Sequence, residues 1–159
     1  VTLAKALGGG LPIGAMLVGE KAAETFQFGS HGSTFGGNPV TTAVALAALT
    51  KIAGGDLLQQ VVVRAAQLRE GLERLAQETG AFEEIRGRGL MVGAALSALH
   101  HGKANDIAEA ARRAGVLVLV AGPNVMRFVP PLTITEAEME KGIQRFGAGL
   151  RAFLAAAKA

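Results

Sequence analysis

A single lysine stands among apolar residues, and three consecutive glycines begin three positions after it. The segment from Thr2 to Gly14 reads TLAKALGGGLPIG. Apolar neighbours disfavour the charged ammonium form of Lys5, and the neutral amine is the nucleophilic form. The glycines would let a bulky planar ligand come close to the backbone. The pattern predicts a nucleophilic amine at a ligand site, and the alternative is a surface lysine beside a flexible turn.

A second glycine-rich segment carries two adjacent hydroxyls. It runs from Gly29 to Pro39 and reads GSHGSTFGGNP. The hydroxyls of Ser33 and Thr34, together with backbone N–H groups freed by the glycines, suit an anion such as phosphate. The N-terminus of the helix predicted to follow would add its dipole. The alternative is a loop whose hydroxyls cap local turns, and His31 nearby is interpreted as incidental.

The residue inventory excludes several other chemistries. The chain has no Cys and no Tyr, so disulfides, thiol nucleophiles and a catalytic phenol are all excluded. His100 and His101 are adjacent and give no recognisable metal-ligand spacing. No metal site is predicted.

The two glycine-rich segments are predicted to be positioned by one short buried strand and one helix. The strand covers residues 13–18, an apolar run between glycines. A brief helical turn is expected at residues 20–25. The helix covers residues 40–52, which are rich in Ala and free of Gly, and Pro39 stands near its first turn.

The remainder of the chain alternates predicted helices and strands, the pattern of an α+β or α/β module. Thr135, with Glu138 three residues later, forms a capping box for the last helix. The predicted helices cover residues 57–78, 103–114 and 136–156, and the predicted strands cover residues 85–88, 90–96, 116–120 and 125–129.

Composition predicts a folded protein with no nucleic-acid or membrane partner. Of the 159 residues, 50% are hydrophobic and the net charge is +3, which is far from the composition of disordered chains. The basic residues are scattered and form no stripe, so nucleic-acid binding is not expected. No secretory signal and no apolar run long enough to cross a bilayer is visible. A cytoplasmic location is the default expectation.

The two glycine-rich segments together resemble the class III PLP-dependent aminotransferases, where PLP is pyridoxal 5′-phosphate. The family pattern T-x-x-K-x-[LIG]-G-G-G-x-P-[IL]-G is matched from Thr2 to Gly14, and G-x-T-[FHY]-x-G-N-P is matched from Gly32 to Pro39. The form STFGGNP is most similar to the acetylornithine and succinylornithine group. Residues 87–93 and 126–132 also resemble this family.

The resemblance implies roles for four residues. Lys5 would hold PLP as a Schiff base and then move a proton between the substrate carbon and the cofactor. Thr34 would bind the PLP phosphate, across a dimer interface in this family, and Ser33 would lie at the substrate or phosphate end of the same loop. Arg127 would pair with the substrate carboxylate, for which a planar guanidinium is suited. The alternative for Arg127 is a solvated arginine on a strand.

The resemblance also implies a fold, a reaction and partners. The expected fold class is α/β with an α+β C-terminal small domain, an incomplete PLP-dependent transferase of fold type I (aspartate aminotransferase-like). Residues 1–60 would be the end of the large PLP-binding domain and residues 61–159 the small domain. The expected enzyme is a homodimer that transfers a terminal amino group from an acetylornithine-type donor to 2-oxoglutarate, in arginine biosynthesis.

Three elements of the family's cofactor site precede its lysine and have no counterpart in residues 1–159. They are the aspartate that holds the pyridine nitrogen, an aromatic ring that stacks on the cofactor, and a glycine-rich phosphate loop. Asp56 and Asp106 fall in helix-cap contexts and do not match that aspartate. We therefore expect these residues alone to hold PLP poorly and to show little or no transaminase activity. Residues 1–18 would be part of a larger sheet, with edges left unpaired.

Two alternative functions remain open from the sequence. One is another class III ω-aminotransferase, acting on ornithine, succinylornithine or 4-aminobutyrate. The other is a non-catalytic association module that keeps the fold. The retention of Lys5 and Thr34 favours an enzyme, because an association module has no physical need for either residue.

Overall fold

The computed structural model describes residues 1–157, which fall into two compact units. The first unit comprises residues 1–56 and the second begins at residue 57. Assignment of these units to the large and small domains of a longer enzyme stays a prediction.

The first unit contains a two-stranded sheet and two helices. Strand β1 (Thr2–Leu3) pairs antiparallel with β2 (Ala15–Met16), and a 3-10 turn follows β1 at Lys5–Gly8. Helix α1 spans Glu20–Ala23 and α2 spans Pro39–Ala53. The predicted helix at residues 40–52 is thereby confirmed.

The predicted buried strand at residues 13–18 is wrong in extent and in burial. Only residues 15 and 16 pair with another strand, and both are exposed. Both strands of this sheet are only two residues long and exposed, and a two-stranded sheet by itself has no interior.

Helix α2 begins where the local sequence predicts it. The side chain of Asn38 accepts a hydrogen bond from the backbone N–H of Thr41, and Pro39 occupies the first helical position. An asparagine cap satisfies one of the free N–H groups at a helix start, and proline fits there because it has no N–H to satisfy. The alanine-rich interior then favours helix up to Gly54.

The second unit is a four-stranded antiparallel sheet with three helices. The strand order is β3-β4-β6-β5, and every neighbouring pair is antiparallel. Residue 57 onward is thus α+β, one of the two classes expected from the sequence. The strands are β3 (Phe82–Arg88), β4 (Met91–Leu96), β5 (Leu119–Val120) and β6 (Val125–Phe128), and the helices are α3 (Leu57–Thr79), α4 (Ala104–Arg113) and α5 (Glu136–Ala156).

The predicted strand at residues 116–120 is shorter than expected. Only Leu119 and Val120 pair with β6, opposite Arg127 and Met126. Continued pairing towards residue 117 would require β6 to extend past residue 128, where the chain enters two consecutive prolines. Proline cannot donate to a sheet, so β6 does not continue through residues 130 and 131.

The apolar sides of α3, α4 and α5 share one core with the sheet. Alternate residues of β4 point towards the helices, so that Val92, Ala94 and Leu96 are buried. Leu72 of α3 and Phe146 of α5 belong to the same buried cluster.

Polar contacts stabilise the start of α5 and join its last turns to the end of α3. Thr135 and Glu138 form the predicted capping box at the start of α5, and the hydrogen bonds from Thr135 hold the pKa of Glu138 below its usual value. Arg151 of α5 forms a bidentate ion pair with Glu78 of α3, with Nε–Oε1 and Nη2–Oε2 distances of 2.6 and 2.8 Å. This ion pair joins the two helices.

In residues 1–157 no single helix is both long and apolar enough to cross a bilayer. The consecutive helices α2 and α3, taken together across a bend, meet that criterion by length and composition only.

Truncating Leu72 tests whether this core stabilises the second unit. Leu72 is 1% exposed, so Leu72→Ala should lower the free energy of unfolding by about 2–5 kcal/mol through lost burial and a residual cavity. The matched control is Leu99→Ala, because Leu99 is 89% exposed and its truncation should change stability by less than about 0.5 kcal/mol. Urea unfolding followed by circular dichroism measures both, and equal losses would contradict the assigned core.

Candidate active site

Lys5 stands at the start of a tight turn in an unusual backbone conformation. Its φ is +53°, and within residues 1–157 it is the only residue other than glycine with a positive φ. The left-handed region costs a residue with a Cβ about 1–2 kcal/mol. Such strain persists where surrounding structure imposes it, and it is found at functional sites more often than elsewhere.

The turn is held by two buried residues that follow the lysine. Leu7 and Gly8 are buried, and the turn contacts helix α2. A Cβ added to Gly8 would lie 2.7 Å from Cγ2 of Ile13, so only glycine allows this close approach. Gly9, next in the chain, adopts φ +56° and ends the turn. Each of these contacts limits where the Lys5 backbone can be.

The predicted apolar setting of Lys5 is not provided by these residues. Lys5 is exposed, and the amine has no hydrogen-bond or ion-pair partner in the part of the chain that the structure describes. The apolar side chains that precede it belong to an exposed two-stranded ribbon, which buries nothing around the amine. The amine is therefore available, but its desolvation would have to come from residues beyond this unit.

The hydroxyl loop is a tight turn fixed by backbone hydrogen bonds. The N–H of Gly36 donates to the carbonyl of Ser33 at 3.3 Å, which places Thr34 and Phe35 at the tip of the turn. The hydroxyls of Ser33 and Thr34 are exposed and make no hydrogen bond within residues 1–157. The capping role considered for these hydroxyls is thus not what they do, and they are free to bind a ligand.

Helix α2 connects the lysine turn to the hydroxyl loop. The loop runs directly into the helix through the cap residue Asn38, and one side of the helix contacts the Lys5–Gly8 turn. Thr41 and Ala45 are the buried residues of the helix. Three of the four predicted site residues, Lys5, Ser33 and Thr34, therefore lie on segments attached to the same helix.

Arg127 lies in the second unit, on β6. It pairs in register with Gly93 of β4 and Leu119 of β5. Its guanidinium is exposed and has no ion-pair or hydrogen-bond partner among residues 1–157. An arginine without a carboxylate partner is available for an anionic ligand.

Arg127 borders a cavity of about 440 Å³ that sequence reasoning did not find. The walls are mainly apolar side chains of α3, α5 and the segment before β5, including Leu72, Val118 and Met139. No sequence pattern marks this space, because residues far apart in the chain line it.

Asn38 is a second feature that sequence reasoning missed. The sequence predicts a helix from residue 40 and gives the asparagine before Pro39 no role beyond the family pattern. An Asn-Pro pair at the start of an alanine-rich run is a local signal for a helix cap, so this residue could have been identified.

In the described residues, no group of three His, Asp or Glu side chains could hold a metal ion. His31 packs edge-on against Phe26, with ring centroids 5.4 Å apart.

Comparison with known proteins decides the family. The family model described as Aminotransferase class-III matches residues 1–150. The chain belongs to the class-III aminotransferase family. An acetylornithine aminotransferase from Xanthomonas campestris is 54% identical over 155 residues, which is 98% of this chain and 38% of that protein. A protein from Pseudomonas aeruginosa named succinylornithine transaminase/acetylornithine aminotransferase is 47% identical over 90% of this chain and 35% of its own length.

Solved structures of class-III aminotransferases have the same fold. N-acetylornithine aminotransferase from Stenotrophomonas maltophilia aligns with a TM-score of 0.86 at 49% identity, covering 98% of this chain and 40% of that chain. An ornithine aminotransferase from Toxoplasma gondii, described with partial occupancy of PLP at its active site, gives 0.88 at 33% identity, over 99% and 38% of the two chains. The predicted PLP-dependent transferase fold of type I is confirmed, and this chain spans about two fifths of the length of these relatives.

Proposed function

We propose that this chain is part of a PLP-dependent aminotransferase of the acetylornithine type. The observation that carries the proposal is the exposed, unpartnered Lys5 in its strained turn, in a chain 54% identical to an acetylornithine aminotransferase. The reaction would move a terminal amino group from the donor to 2-oxoglutarate.

The free polar groups of the first unit fit PLP. The cofactor offers an aldehyde and a phosphate, and the chain offers a primary amine at Lys5 and two hydroxyls at Ser33 and Thr34, none of which is engaged within residues 1–157. When bound, PLP supplies a ring that accepts the electron pair of the substrate carbon. The glycine that follows the turn, Gly9, has open space around it, which leaves room for a planar ring.

Each proposed residue would have one task. Lys5 would bond to the cofactor and, once displaced by the substrate amine, would carry the proton between two carbon atoms. Thr34 would donate its hydroxyl to the phosphate, and Ser33 would bind either the phosphate or the substrate at the same loop.

Arg127 would bind the carboxylate of the substrate. A guanidinium can donate two parallel hydrogen bonds to one carboxylate. The guanidinium of Arg127 forms no ion pair with an Asp or Glu of the described residues. Both the proposed donor and 2-oxoglutarate carry a carboxylate, so one arginine could serve both half-reactions.

The wider assignments follow from the family. Residues 1–60 would be the end of the large PLP-binding domain and residues 61–159 the small domain, in a cytoplasmic homodimer that serves arginine biosynthesis. Thr34 would then act on the cofactor held by the second copy. Since the chain spans 38% of its relative, residues 1–159 alone would hold PLP poorly and have little activity.

The donor specificity is tested by a substrate panel on the complete protein that contains residues 1–159. With 2-oxoglutarate as acceptor, kcat/KM should be highest for N-acetylornithine, because relatives of that name are the most similar proteins reported above. Ornithine, N-succinylornithine and 4-aminobutyrate are the competing donors. A preference of tenfold or more for one of these would replace the acetylornithine assignment, and activity with none would favour a non-catalytic module.

The role of Lys5 is tested by Lys5→Ala in the same protein. The absorbance band of covalently held PLP and the transaminase activity should both disappear, because Lys5 is the amine proposed to bond to the aldehyde. Lys51→Ala is the matched control, since Lys51 is an exposed lysine of α2 and its loss should change neither. A band that survives in Lys5→Ala would show that another amine holds the cofactor.

A further inference from the structure

Asn38 uses both ends of its side-chain amide. Its Nδ2 donates to the carbonyl of Phe35 at 2.9 Å, and its Oδ1 accepts from the backbone N–H of Thr41 at 3.1 Å. The first bond reaches back into the hydroxyl loop, and the second reaches forward into helix α2. The residue is half-buried, between the exposed loop and the helix.

On the loop side, Asn38 fixes the peptide group between Phe35 and Gly36, one residue beyond Thr34. The carbonyl of Phe35 accepts from both the side chain and the backbone N–H of Asn38, at 2.9 and 3.4 Å. Together with the bond from Gly36 to Ser33, these contacts hold the turn that carries Thr34 at its tip. The Thr34 hydroxyl itself has no partner in residues 1–157, so its position depends on the backbone of the turn.

On the helix side, Asn38 attaches the loop to helix α2. Its carbonyl accepts from the backbone N–H of Thr42 at 3.1 Å and from the Thr42 hydroxyl at 2.9 Å. Thr41, which donates to its side chain, is buried. Helix α2 in turn contacts the Lys5–Gly8 turn. The loop is thus oriented relative to a helix that is in contact with the lysine turn.

We propose that Asn38 is a positioning residue that orients the Thr34 hydroxyl for the cofactor phosphate. The inference rests on the proposed role of Thr34 as a phosphate ligand. The amide is chemically required because it is neutral and carries an acceptor and a donor on separate atoms. Serine caps a helix as well as asparagine does, but its single oxygen cannot occupy both amide positions.

The test variant is Asn38→Ser in the complete protein that contains residues 1–159. Serine keeps the helix cap and removes the bond from Nδ2 to the Phe35 carbonyl. Asn38→Ala removes both and reports the effect of losing the cap. The unfolding midpoint should be unchanged in Asn38→Ser and lowered in Asn38→Ala.

Two probes separate an effect on the phosphate from an effect on the fold. The affinity of the apoprotein is measured for PLP and for pyridoxal, which has the aldehyde but no phosphate. Asn38→Ser should weaken PLP binding by about tenfold, the effect of losing roughly one well-placed hydrogen bond, and leave pyridoxal binding unchanged. Unchanged PLP binding, or equal weakening of both probes, would overturn the positioning role.

A double-mutant cycle with Thr34→Ala connects the two residues. If Asn38 acts through Thr34, the double variant should bind PLP as weakly as Thr34→Ala alone, because the positioned group is already absent. Additive losses would contradict the inference and leave the function of Thr34 intact. PLP binding unaffected by Thr34→Ala would instead overturn the phosphate role of Thr34, and the inference with it.

Discussion

The contact between the Lys5–Gly8 turn and helix α2 is the constraint on which the candidate site depends. In residues 1–56 the structure buries only Leu7 and Gly8 from the turn and Thr41 and Ala45 from the helix. This small buried patch is all the interior that the first unit has. The lysine turn contacts helix α2 and the hydroxyl loop leads directly into the same helix, so a displacement of the helix would move both segments.

The polar groups proposed to act in catalysis are ones that the fold does not use, a property they share with other surface residues such as Lys51. Arg151 pairs with Glu78, and Arg112 pairs with Glu109 and holds the pKa of that carboxyl near 2. By contrast, the amine, hydroxyl and guanidinium proposed to act in catalysis have no partner within residues 1–157. No buried side-chain N or O atom in that range lacks a hydrogen bond, so the unpaired groups are confined to the surface. A cofactor and a substrate would supply the missing partners.

Local signals allowed much of the fold to be predicted, whereas features set by tertiary contacts were not. The capping box at Thr135 depends on residues three apart in the chain, and it was found from the sequence. The exposure of Lys5 could not be predicted from the sequence, because apolar neighbours in sequence do not guarantee apolar neighbours in space. The positive φ of Lys5 could not be predicted either, since lysine rarely adopts it and only packing of the turn imposes it. The bond from Asn38 to Phe35 requires the loop geometry to be known.

The central claim is that Lys5 is the amine that holds the cofactor. Borohydride reduction of the complete protein with bound PLP, followed by peptide mapping by mass spectrometry, tests it directly. The account predicts a pyridoxyl adduct on the peptide containing Lys5 and on no other lysine of residues 1–159. An adduct on Lys21 or Lys51 in place of Lys5 would contradict it, as would an active protein from which no adduct at Lys5 can be recovered.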